Sequence, residues 1–223
     1  MTERISIDIW SDVMCPWCVI GYQHLRRALD DLGREVEAEI RWLPFELNPD
    51  MPPEGEESRA HIARKYGRTP SEAAAGAGIM AERARAAGFS FDYTGEGEPP
   101  VTMMWNTFDA HKLLSWTLAN VGAAAQMRLA LALIAAHFQQ RRRIGDREVL
   151  LDVAEASGLD RAAAAAALDD ADLADEVRAE QQHAWDMNIS GVPAMIFDGK
   201  FLVPGAQEPE TYVDVIRKVI ARR

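Results

Sequence analysis

Cys15-Pro16-Trp17-Cys18, set within Ser11-Asp12-Val13-Met14-Cys15-Pro16-Trp17-Cys18-Val19-Ile20-Gly21, decides how the rest of this chain is read, and it holds both cysteines of the sequence. Upstream, Ile5, Ile7 and Ile9 alternate with Ser6, Asp8 and Trp10, the period of two that marks a strand. Downstream, Val19, Ile20, Tyr22, Leu25, Ala28, Leu29 and Leu32 recur at intervals of three and four, the pattern of an amphipathic helix. Cys15 therefore falls at or just before the first helical turn. The first backbone N–H groups there lack intrahelical partners and the helix dipole is positive, which favours a thiolate over a thiol. Pro16 suits the first helical position, where its missing N–H is not needed.

Two cysteines at this spacing can exchange disulfides, supply half a metal site, or be buried small residues. A structural zinc site usually takes four ligands. The remaining candidates, His24, His61, His111, His137 and His183, are scattered and contain no close pair; no metal is expected. A helix start activates thiols rather than hiding them, so redox exchange is the reading the pair favours. Cys15, nearer the helix start, is then the nucleophile, and Cys18, one turn further in, resolves the mixed disulfide by attacking Cys15. Pro16 stiffens the loop between them, and Trp17 adds an apolar face beside the reacting sulfur.

The composition narrows the class. The chain has 223 residues, 48% of them hydrophobic, enough for one large domain or one domain carrying an insertion. A net charge of -11 argues against a nucleic-acid binder, whose footprint is basic. Met1-Thr2-Glu3-Arg4 leads straight into a strand without the pattern of a secretory signal, and about eighteen continuous apolar residues, as a membrane span needs, are found nowhere. The expected compartment is cytoplasmic, where a cysteine pair is more often catalytic than structural.

In chain order, Val36, Ala38, Ile40 and Trp42 alternate with Glu37, Glu39 and Arg41 as a second strand, making a βαβ unit with parallel pairing. Pro44 to Pro49 ends regular structure, and 50–58 reads as an exposed loop. From about 59 to 188 helical patterning dominates, with no convincing strand. Helices are expected near 58–66, 70–87, 102–120, 122–141, 146–157, 160–168 and 171–187. Thr69-Pro70-Ser71-Glu72 has the form of a helix start, with Thr69 as N-cap. Strands return at Val192–Phe197 and Phe201–Val203, separated by Asp198-Gly199, a strong hairpin signal. A last helix follows over 208–222. The expected fold class is α/β, with 1–50 and 189–223 forming one domain around an all-helical insertion, 51–188.

A cysteine-bearing βα turn at one end and Gly191-Val192-Pro193 before a ββα unit at the other is what a thioredoxin-like fold looks like. The chain resembles the DsbA-like branch of the thioredoxin superfamily, in particular the FrnE-like dithiol–disulfide oxidoreductases/isomerases. Besides the cysteine stretch, the matching segments are Arg41-Trp42-Leu43-Pro44-Phe45-Glu46-Leu47-Asn48-Pro49, Asn106-Thr107-Phe108-Asp109-Ala110-His111, Gly191-Val192-Pro193-Ala194 and Gly205-Ala206-Gln207. The resemblance implies a helical insert packed over the active-site turn, Cys15 as exposed nucleophile and Cys18 as resolving thiol. It also implies a cis Val192–Pro193 peptide facing them, with the Val192 backbone able to pair with a bound peptide. The expected partners are thiol or disulfide proteins and peptides, with glutathione as a candidate co-substrate and the Cys15–Cys18 disulfide in place of any cofactor.

Two other classes stay in view. The kappa-type glutathione transferases and 2-hydroxychromene-2-carboxylate isomerases share the split fold and the late Val-Pro, but use a serine where Cys15 stands. A chaperone-like peptide-binding protein is the other class, for which Val101-Thr102-Met103-Met104-Trp105 is the candidate surface, although such a run is more often core. Asp12, three residues before Cys15, is a candidate acid or base for the thiols or a turn residue. Asn106 and His111 are expected on one helix facing the cavity between the domains. His24 is expected on a solvated face.

Overall fold

The computed structural model describes residues 2–223. Strand β1 (Glu3–Ser11) runs into helix α1 (Pro16–Leu32), and a short 3-10 turn leads to β2 (Val36–Pro44). β1 and β2 pair in parallel, from Glu3 opposite Val36 to Ser11 opposite Pro44. Near the C-terminus, β5 (Ala194–Phe197) and β6 (Phe201–Pro204) form a hairpin followed by helix α9 (Pro209–Ile220). Asp198 and Gly199 both take positive φ, 51° and 64°, as a tight two-residue hairpin turn demands. β5 joins β1 antiparallel, so the sheet order is β2-β1-β5-β6.

Between β2 and β5 lie α2 (Ser58–Tyr66), α3 (Pro70–Ala87), α4 (Phe108–Asn120), α5 (Ala123–Phe138), α6 (Arg147–Ala156), α7 (Arg161–Asp169) and α8 (Ala171–Asp186). Their starts follow sequence logic. Thr69 and Glu72 close a reciprocal capping box at α3, and Asp146, Asp160 and Asp170 cap α6, α7 and α8 with their carboxylates. α4 and α5 pack on β2, and one apolar cluster runs from Ile5, Ile7 and Ile9 through Leu25 and Trp42 into Leu113, Leu129, Leu133 and Val177. The helices and the sheet therefore share a core.

Several expectations change. The segment 102–107 is not helical: α4 begins at Phe108, so Asn106 precedes the helix that carries His111. Within the stretch read as strandless, β4 (Met103–Met104) pairs antiparallel with β3 (Glu56–Glu57). That pairing ends 50–58 as a plain loop and divides the candidate chaperone surface. Val101 is exposed, Met103 and Met104 are half-buried in the ladder, and Trp105 is buried. Trp10, on the face of β1 opposite Ile9, is buried as well. It meets Phe45 and Ala184, and the His183 ring lies 6.5 Å away, so both faces of β1 are covered at its C-terminal end.

β2 is an edge strand, and its outward backbone groups at Trp42 are not left to water. Gln126 of α5, fully buried, accepts from Trp42 N–H at 2.9 Å and donates to Trp42 C=O at 2.7 Å and Leu114 C=O at 3.1 Å. The side chain substitutes for a neighbouring strand, which blunts an edge otherwise open to pairing.

Candidate active site

The C-terminal end of β1 delivers the chain into a tight turn. Cys15 N–H donates to Asp12 C=O at 2.9 Å, and Cys15 is the N-cap of α1, with Pro16 in the first turn. Asp12 is 1% exposed. One carboxylate oxygen accepts from Met14 N–H at 3.1 Å, a local Asx-type turn, and the other accepts from Leu47 N–H at 2.8 Å. Asp12 thus ties the cysteine turn to the loop after β2, beyond the local turn role read from sequence.

Both thiols are free and buried, Cys15 at 3% and Cys18 at 0% exposure. Cys18 is the deeper of the two, and Cys15, expected as an exposed thiol, is not openly exposed. Its sulfur lies under the loop before β5, where the thiol approaches the Val192 carbonyl at 3.7 Å. The Val192–Pro193 peptide is cis. Strand β5 starts only at Ala194, so Val192 and Pro193 precede the ladder rather than opening it. Gly21 brings α1 against this loop: a Cβ there would stand 3.1 Å from Pro193 Cγ and 3.4 Å from the Ala206 backbone. Burial pushes the Cys18 thiol well up, and the neighbouring Cys15 adds to the shift.

Trp17 is the exposed member of the motif, 37% accessible, with the Arg83 guanidinium of α3 over its ring at 5.4 Å. Pro16 is half-exposed beside it. His111 is 1% exposed, neither ring nitrogen makes a well-formed hydrogen bond, and desolvation lowers its pKa against the opposing effects of the nearby Asp12 charge and the Phe45 backbone. Asn106 does line a cavity, of 290 Å³, with Glu46, Pro49, Phe108, Asp109 and Arg178. His24 is not on a solvated face: its side chain is 12% exposed and Nδ1 sits 2.8 Å from Gln207 C=O. Among the described residues no group of three or more His, Cys, Asp or Glu is placed to hold a metal ion, and no helix is long and apolar enough to cross a membrane.

Sequence reasoning missed Gln126, Arg83, Glu46, Asp109 and Arg178 as site or support residues. Glu46 and Asp109 lie inside segments that carried the family resemblance; the other three had no local signal.

The chain that carries this thiol pair and cis X-Pro loop is matched to known proteins over nearly its whole length. The DSBA-like thioredoxin domain aligns with residues 6–217. The chain belongs to this DsbA-like family. Among curated proteins it is 28% identical over 214 residues to the uncharacterized protein YwbO of Bacillus subtilis, covering 95% of this chain and 96% of YwbO. The crystal structure of the probable DsbA oxidoreductase SCO1869 from Streptomyces coelicolor superposes with a TM-score of 0.85 at 29% identity, covering 98% of this chain and 91% of that one. Two more distant structures share the fold. 2-Hydroxychromene-2-carboxylate isomerase has a TM-score of 0.61 at 16% identity, with 97% and 95% coverage. The cytosolic disulfide reductase DsbM of Pseudomonas aeruginosa, solved with GSH, has a TM-score of 0.58 at 16% identity, with 97% and 99% coverage.

Proposed function

We propose that this chain is a thiol–disulfide oxidoreductase that exchanges disulfides through Cys15 and Cys18. The observation that carries the proposal is the pair itself: Cys15 at the N-cap of α1 with its sulfur 3.7 Å from the Val192 carbonyl, and Cys18 fully buried one turn below. In the reducing direction, the Cys15 thiolate attacks one sulfur of a substrate disulfide. A Cys15–substrate disulfide forms and the other substrate thiolate leaves. Cys18 loses its proton and attacks the Cys15 sulfur, releasing the second substrate thiol and leaving the Cys15–Cys18 disulfide. The substrate gains two electrons and the protein loses two; the reverse sequence oxidises a dithiol. Burial keeps Cys18 a thiol until the mixed disulfide presents it with a target, which separates attack from resolution.

The Val192 backbone, which approaches the sulfur, and the exposed Trp17 ring two residues on are proposed as the contact surface for a peptide or a small thiol. Glutathione is proposed as one partner, supported by the likeness to DsbM, which was solved with it. The description of DsbM as cytosolic is in keeping with the proposed cytoplasmic setting. A glutathione-dependent isomerase or transferase is the second reading, and the fold shared with 2-hydroxychromene-2-carboxylate isomerase favours it. Against it stands Cys18: a thiol one turn from Cys15 would resolve any glutathione adduct instead of holding it. The test is Cys15→Ser assayed for disulfide exchange. Loss of exchange by at least about a thousandfold is expected, since the thiolate is the nucleophile; retention of exchange rejects the proposal.

A further inference from the structure

One cavity near the loop that holds Asp12 is lined by two carboxylates and a guanidinium with no hydrogen bond or ion pair among them. It measures 290 Å³ and opens between the loop after β2, the start of α4 and α8. Glu46 receives Gln181 Nε2 on one oxygen at 3.1 Å, while its other oxygen, Oε1, is buried without a partner. Asp109 and Arg178 form no hydrogen bond or ion pair among the described residues. Arg178 instead lies over the Phe108 ring at 4.3 Å. Arg178 is exposed and Glu46 and Asp109 are half-buried, so the group of this lining that is enclosed without a partner is Glu46 Oε1, which burial leaves short of a hydrogen bond. Asn106 does not compete for a ligand, because its Oδ1 accepts from Phe108 N–H and its Nδ2 donates to Pro49 C=O. The cavity is linked to the redox turn: the residue after Glu46, Leu47, donates to Asp12, whose carbonyl receives Cys15 N–H.

A ligand that satisfies this lining carries an ammonium for Glu46 and Asp109 and a carboxylate for the Arg178 fork. We propose that the cavity binds a zwitterionic amino-acid head group, an α-ammonium and an α-carboxylate on one carbon, of the kind that small thiols carry. This rests on the oxidoreductase reading above. Two thiol classes carry such a head group: glutathione, on its γ-glutamyl end, and free cysteine or cystine.

Binding is measured by calorimetry on the full chain with S-methylglutathione and with S-methylcysteine, neither of which can exchange. At least one is expected to bind, with affinity falling at least about tenfold in Arg178→Met and in Asp109→Asn. N-acetylation of the same ligand should weaken it comparably. Preferential binding of S-methylglutathione identifies the γ-glutamyl peptide as the occupant, and preferential binding of S-methylcysteine the free amino acid. Circular dichroism melts establish that the variants are folded; a third variant, Glu46→Gln, takes the place of either one that is not. Binding of neither ligand, unchanged affinity in folded variants, or equal affinity for the N-acetylated ligand overturns the proposal. The unaltered chain is separately assayed for exchange with dithiothreitol, which has no such head group. Absence of that exchange sinks the oxidoreductase reading without touching the binding result.

Discussion

At the scale of single residues, the two cysteines differ by environment more than by position. Cys18 is enclosed, and burial together with the adjacent Cys15 pushes its thiol up. Cys18→Ser therefore leaves the first attack possible but removes the resolving thiol. Incubated with a disulfide substrate, that variant should accumulate a covalent Cys15–substrate adduct, visible by intact-mass spectrometry. An adduct that fails to accumulate would remove Cys18 from the resolving role.

Glu46 illustrates a second residue-scale effect. Burial, only partly offset by Gln181, raises its carboxyl from an ordinary 4.5 to about 6. The folded chain then binds this proton more tightly than the unfolded chain does. The resulting contribution to stability is present below about 4.5 and is lost as the pH rises through about 6. Glu46→Gln has no such loss, so the Tm of the variant relative to the parent should rise between pH 4.5 and 6 and level off above. Parallel Tm curves across that range would contradict the assignment. Asp12 shows why chemistry read from sequence stops short: an aspartate three residues before a cysteine reads as a turn residue, yet its second oxygen reaches Leu47, 35 residues on.

At the scale of elements, the sheet edge depends on one side chain from a helix. Gln126 occupies both backbone groups of Trp42 and a carbonyl of α4. Gln126→Ala leaves the two buried Trp42 groups unpaired and opens a small void, while the Leu114 carbonyl keeps its place in the helical ladder. The expected cost is about 3 kcal/mol, a Tm lowered by roughly 6–12 °C. A Tm within about 2 °C of the parent's would show that water replaces the side chain fully. The periodic elements were legible from the sequence because long patterns average over many residues: α3 keeps both predicted ends, and its capping box is where Thr69 and Glu72 placed it. β3 and β4 were not, since two-residue strands have no period to detect, and their pairing joins positions 56–57 to 103–104. Missing them extended α4 backwards over 102–107 and put Asn106 on a helix it does not join.

At the scale of the whole molecule, the order of strands and helices around Cys15-Pro16-Trp17-Cys18 carried the fold, and the DsbA-like assignment agrees with it. What the order did not carry is enclosure. The helices share a core with the sheet, and the loop at Val192 lies over the Cys15 sulfur, so a thiol read as exposed is 3% accessible. Likewise, Glu46, Asp109 and Arg178 come from three separate stretches, and only the fold brings them around one cavity. The central claim is that Cys15 and Cys18 form a reversible redox couple, and its most direct test is equilibration of the full chain against a graded glutathione redox series with thiol trapping. The account predicts a single two-electron transition between dithiol and Cys15–Cys18 disulfide, with a midpoint within roughly -120 to -270 mV. Thiols that remain reduced at every ratio, or that end only as a stable glutathione adduct on Cys15, would contradict it.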